Sequence, residues 1–154
     1  MTENLGLGNR DYGFFSCEPT IKLLLDGRNV QIMEGATYTD PDGKVWEIYP
    51  GDLSDGATVP KELWSLVGGP FEGPYRVAAL FHDRQCNYYL SIAERKAADR
   101  MFRVASLCAG CTIEQADALY AGVSIGTLEA EQEGRVHGPK VGVAVVSDDP
   151  RGWH

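Results

Sequence analysis

The chain has 154 residues, 44% of them apolar and 23% charged, a balance that excludes a disordered segment and suits one domain able to bury its own core. Its formal charge is −8 with a pI near 4.8, and such a surface repels phosphate backbones, which excludes a general nucleic-acid-binding role. No apolar run approaches the roughly 20 residues that span a bilayer, and the start MTENLGLGNRDYGFF lacks the basic and apolar blocks of a signal peptide.

Residues 1–19 read as a polar, Gly-containing N-terminal extension with Phe14 and Phe15 as anchors onto the domain. A single α+β domain is expected over 20–129. It begins as a three- or four-stranded antiparallel meander: Ile21 to Leu25, the turn Asp26-Gly27, Asn29 to Met33, the turn Asp40-Pro41-Asp42-Gly43, then Val45 to Tyr49. At Pro50 the pattern changes. Ser54 to Pro60 reads as a loop, Lys61 to Val67 as a short helix carrying Trp64, and Gly68 to Pro74 as a breaker-rich connection or lid.

Three longer helices are expected after it. The first opens at Pro74 and runs to about Leu90. Ser91-Ile92-Ala93-Glu94 and Thr112-Ile113-Glu114-Gln115 are capping boxes that start the second and third, with Leu107 near the end of one and Gly126 as the stop of the other. Residues 130–154 read as a C-terminal extension with a candidate edge strand at 141–146. Cys108-Ala-Gly-Cys111 has half the spacing of a zinc knuckle and no second pair, so two small apolar residues at a helix end are the plainer reading.

The chemistry concentrates on the first two long helices. His82 shares a helix face with Ala78, Cys86 and Tyr89, so its imidazole faces the interior, and Asp83 lies about 100° around the helix. The next helix follows with almost no loop, and the two should pack as an antiparallel hairpin. His82 and Asp99 stand at similar distances from that corner, which brings them level across the pair. A carboxylate bonded to one imidazole nitrogen fixes the tautomer and raises the basicity of the other. A second carboxylate with loop carbonyls makes an oxygen cage for calcium, and direct imidazole ligation would suit zinc or manganese. Asp83 and Asp55 are the candidate metal ligands. The bland alternatives are a satisfied core histidine and a surface ion pair of Asp99 with Arg95 or Arg103. Trp64, Phe71, Tyr75, Tyr88 and Tyr89 form an aromatic set that suits either the core or an apolar substrate pocket.

The ordered strings SDGATVP, a Trp, a Gly/Pro-rich loop, AALFHD, aromatic residues and AADRMF resemble an uncharacterised family of tailed-phage and prophage genomes, domain of unknown function 1353, over roughly Val45 to Gly126. That resemblance implies an α+β fold and a phage origin, with synthesis in the host cytoplasm, but no activity. A fainter resemblance is to small bacterial phospholipases A2, and it implies His82 as base, Asp99 as orienting carboxylate, and Asp83 with Asp55 on calcium. The chain departs from that pattern where Leu80-Phe81 replaces a cysteine, and where Ala57 to Pro60 replaces a glycine-rich loop.

Two functions follow as expectations. One is metal-assisted hydrolysis of a host envelope component, phospholipid or cell wall. The other is a non-catalytic virion or accessory protein of tail, neck or baseplate that binds other phage structural proteins.

Overall fold

The computed structural model describes residues 6–55, 61–69, 72–87 and 91–134. The loop 56–60, Phe71, Tyr88, Tyr89 and the candidate strand at 141–146 lie outside the described residues. The fold is α+β, with short strands first and helices after them, as the pattern predicts.

The strands are β1 (Phe14–Phe15), β2 (Thr20–Leu23), β3 (Val30–Glu34), β4 (Ala36–Thr39), β5 (Val45–Ile48) and β6 (Leu53–Ser54). They form two three-stranded antiparallel sheets rather than one meander, in the orders β1-β4-β5 and β2-β3-β6. The chain passes from one sheet to the other at Gly35, where the backbone runs so close to β5 that an added Cβ would lie 2.3 Å from the Ile48 carbonyl oxygen. Both predicted turns form for the expected reason. The Asp26 carboxylate accepts from the Arg28 and Asn29 amides at 2.9 Å, and Asp40 accepts from Asp42 and Lys44 at 2.9 and 3.0 Å. Those backbone bonds hold the Asp26 pKa below its ordinary value.

Phe15 is buried and pairs with Tyr38 on β4, so part of the N-terminal segment is built into the sheet through the anchor residue that its sequence suggests. Tyr38 and Phe81 pack edge to face on the same cluster, and the Tyr38 hydroxyl donates to the Tyr12 carbonyl at 2.6 Å.

The helices are α1 (Trp64–Val67), α2 (Arg76–Cys86), α3 (Ile92–Cys108) and α4 (Ile113–Gln132). Both capping boxes are complete: Ser91 and Glu94 cap α3 reciprocally, as Thr112 and Gln115 cap α4. Gly126 does not end α4. Thr127 and Ala130 continue the buried stripe of Leu119 and Val123 past that glycine, so packing against α3 carries the helix on, and the left-handed stop falls at Gly134 with φ +68°. Cys108 and Cys111 are free buried thiols at the α3 end, and burial pushes both pKa values up to about 11.

Phe102 sits at the centre of the helical layer, fully buried, with ring centroids 6.5 Å from Tyr75 and 5.0 Å from His82. Phe102→Ala is expected to lower unfolding free energy by about 3–5 kcal/mol in urea titrations. Leu25→Ala, at the exposed tip of the β2–β3 hairpin, should change it by less than about 0.5 kcal/mol.

Candidate functional site

Almost every residue of α2 is buried, and its last two turns carry His82, Asp83 and Arg84 in succession, followed by Asn87 just past the helix. Successive helical residues point about 100° apart, so each polar group enters a different part of the interior and needs its own partner there.

His82 points at α3. Its Nε2 lies 2.8 Å from Asp99 Oδ1, and both side chains are 2% exposed. Asp99 is held on its other oxygen by the Thr127 hydroxyl of α4, which donates to Oδ2 at 2.5 Å. Three helices therefore meet at one carboxylate. Arg95, one turn before Asp99, stands with Nε 3.8 Å from Oδ1, whereas Arg103 is drawn away to Asp117 at 2.8 Å. The expected Asp99–Arg95 ion pair is therefore present, but within a largely buried cluster rather than on the surface. Cys86 Sγ lies 3.7 Å from both ring nitrogens of His82, one helical turn along the same face.

Asp83 points at the β2-β3-β6 sheet, where the Ser54 hydroxyl donates to Oδ2 at 2.5 Å, and it has no exposed surface. Arg84 pairs with Asp52 at 2.5 Å, and Asn87 donates to the Leu53 carbonyl at 2.8 Å. Asp52 also accepts from the Tyr49 amide at 2.8 Å. The whole stretch from Asp52 to Ser54 is stitched to α2 by polar contacts. Asp55 ends that stretch, and its Oδ2 receives Arg28 Nη2 at 3.1 Å from the far side of the β2–β3 hairpin.

His82 and Asp99 are thus in direct contact, and Asp83 and Asp55 flank Ser54. Among the described residues no group of three or more His, Cys, Asp or Glu side chains is placed to hold a metal ion, so Asp83 and Asp55 by themselves do not complete a cage. Ser54 and Thr127 were not singled out by sequence reasoning. Ser54 stands beside Asp55 in the SDGATVP string. Thr127 lies beyond the expected helix stop at Gly126, but at i+4 from Val123 and i+8 from Leu119 it falls on the buried stripe.

A family described as "protein of unknown function (DUF1353)" matches residues 30–123, which include β3 to β6, α2, α3 and the first half of α4. The chain belongs to the DUF1353 family. The uncharacterized protein y4jT of Sinorhizobium fredii (strain NBRC 101917 / NGR234) is similar to it, 36% identical over 77 residues, which are 49% of this chain and 23% of that protein. The uncharacterized protein y4iH of the same strain is 31% identical over 86 residues, 56% of this chain and 35% of that protein. This DUF1353 chain therefore spans a minority of the length of both relatives. No solved structure matches it. No helix among its described residues is long and apolar enough to cross a membrane.

Burial disfavours charge on His82. The neighbouring Cys86 and the hydrogen bond that the ring donates to the Asp99 carboxylate outweigh it, and the imidazole pKa in this DUF1353 protein is raised to about 9. The unfolded value is about 6.5. A raised folded pKa means that the stabilisation is complete below the unfolded value and is lost as pH climbs through the folded one. The unfolding free energy from urea titrations should therefore fall from about pH 6.5 to about pH 9, with a slope near 1.4 kcal/mol per pH unit. In His82→Asn that slope should vanish.

Proposed function

We propose that the protein is a phage- or prophage-derived hydrolase of a bacterial envelope component, phospholipid or cell wall, with His82 as general base and Asp99 as the carboxylate that orients it. The observation that carries this reading is the 2.8 Å bond from His82 Nε2 to Asp99 Oδ1 across the α2–α3 pair. In the neutral ring, which the raised pKa of about 9 makes the dominant form only at alkaline pH, the proton is held at Nε2 and Nδ1 is the basic atom, so hydrolysis should rise toward pH 9. Nδ1 would take a proton from the attacking water, and Asp99 would stabilise the imidazolium that forms. Thr127, by fixing the second oxygen of Asp99, keeps that carboxylate aimed.

A divalent ion, calcium first and zinc or manganese as alternatives, is the cofactor under this reading, with Asp83 and Asp55 as its protein carboxylates. The ion would need oxygens beyond these two.

A second reading is favoured by the way the polar groups are engaged. His82 with Asp99 and Thr127, Asp83 with Ser54, and Asp55 with Arg28 are all bonded inside the protein. In a non-catalytic virion protein the same cluster would lock α2 between sheet and helices while the surface binds other structural proteins.

Two measurements separate the readings. Calorimetric titration of chelated protein with calcium, zinc and manganese, repeated on Asp83→Asn, should show micromolar binding that the variant loses. Product release from phospholipid vesicles or peptidoglycan should fall at least about 100-fold in His82→Asn and Asp99→Asn variants that remain folded. No release from either substrate, with or without the ions, would leave the non-catalytic reading in place.

A further inference from the structure

On the face of α3 and α4 opposite His82, a groove of about 270 Å³ reaches inward as far as Asp99 and Thr127. Its walls are two facing stripes. Lys96 and Arg100 stand one turn apart on α3, and Tyr120, Ser124 and Leu128 follow one another at helical spacing on α4.

The charges on α3 next to this groove are accounted for with one exception. Arg95 lies by Asp99, Lys96 pairs with Glu131 at 3.2 Å across the groove mouth, and Arg103 pairs with Asp117. Arg100 is exposed, lines the groove, and makes no hydrogen bond or ion pair among the described residues. The Tyr120 and Ser124 hydroxyls on the facing wall likewise have no partner among the described residues. The two acids that line the groove are both engaged, Glu131 by Lys96 and Asp99 by His82 and Thr127. One guanidinium and two hydroxyls are left facing a cavity, on a protein whose net charge is −8. A guanidinium matches the geometry of a carboxylate or phosphate, and hydroxyls supply the additional donors.

We propose that this groove binds an oxyanion, a carboxylate or phosphate group on a small molecule, through Arg100 with the Ser124 and Tyr120 hydroxyls. Leu128 gives the rest of that molecule an apolar wall, and the half-exposed Lys96–Glu131 pair at the mouth is weak enough to open. The site goes beyond the hydrolytic reading and does not depend on it, because its ligand lies across Asp99 from the imidazole.

The test is a two-dimensional amide NMR titration of the folded chain with inorganic phosphate and, separately, with acetate at fixed ionic strength. The Arg100, Ser124 and Thr127 signals should shift saturably with at least one probe. Arg100→Gln should weaken that binding about tenfold, the effect of one charged hydrogen-bonding partner. Arg10→Gln, stacked on Phe14 near the opposite end of α3, should leave it unchanged. Saturation by phosphate alone identifies a phosphoryl group, and saturation by acetate alone a carboxylate. Shifts that never saturate with either anion, or saturation that is the same in Arg100→Gln, would overturn the site. The readout is binding, so the result stands whether or not any substrate is cleaved.

Discussion

The constraint on which the structure depends is that α2 is buried on every side while its sequence is not apolar on every side. A helix wrapped by other elements is normally hydrophobic all round. Here Phe81 and Leu80 serve the core, yet His82, Asp83, Arg84 and Asn87 are buried with them. An unpartnered charge in that position would cost several kcal/mol, so each group dictates what its neighbour must be. Asp99, Ser54, Asp52 and the Leu53 carbonyl are the answers. The two-residue strand β6 has little ladder of its own, and these side-chain contacts hold it in place as much as its pairing with β3 does.

This explains how much of the molecule was legible beforehand. Local signals were strong where one residue satisfies its neighbours. The two capping boxes and the two Asp-Gly turns each complete a hydrogen-bond pattern within four residues, and all four form. The meeting of His82 with Asp99 was readable because helix geometry and a short connection fix the register of an antiparallel pair. Partners across elements were not readable. Nothing near Ser54 announces that its hydroxyl will meet Asp83, and the split into two sheets at Gly35 depends on a close approach to Ile48. Thr127 was hidden by a specific error of weight. Gly126 is a poor helix former, but about 1 kcal/mol of propensity is outweighed by a stripe of buried contacts on either side of it.

The cluster also bears on what a buried polar network is for. Replacing such a network with apolar side chains is often neutral or stabilising, so stability alone is a weak reason for its presence. Two roles remain. One is specificity: His82, Asp83 and Arg84 allow only one rotation of α2 between the sheet and α3, since any other would leave a charge unmatched. The other is chemistry, because a histidine with one nitrogen committed to a carboxylate is pre-set for proton transfer at the other. The two roles make different demands on Cys86. For specificity it is simply a small filler beside the ring. For chemistry its sulfur, at 3.7 Å, occupies the approach to the imidazole and would have to yield to a water.

Asp99 links these roles. It receives His82 from α2 and Thr127 from α4, and it forms the floor of the groove that Arg100 overlooks. A group bound in that groove would lie one carboxylate away from the imidazole. An anion there would act on the dyad through Asp99, and its negative charge would favour the protonated ring. His82 below and the exposed Arg100 above therefore stand on either side of the same carboxylate. That arrangement follows from the α3 sequence itself: Lys96 and Arg100 fall on the outer face by i+4 spacing, while Asp99, one position earlier than Arg100, is turned inward.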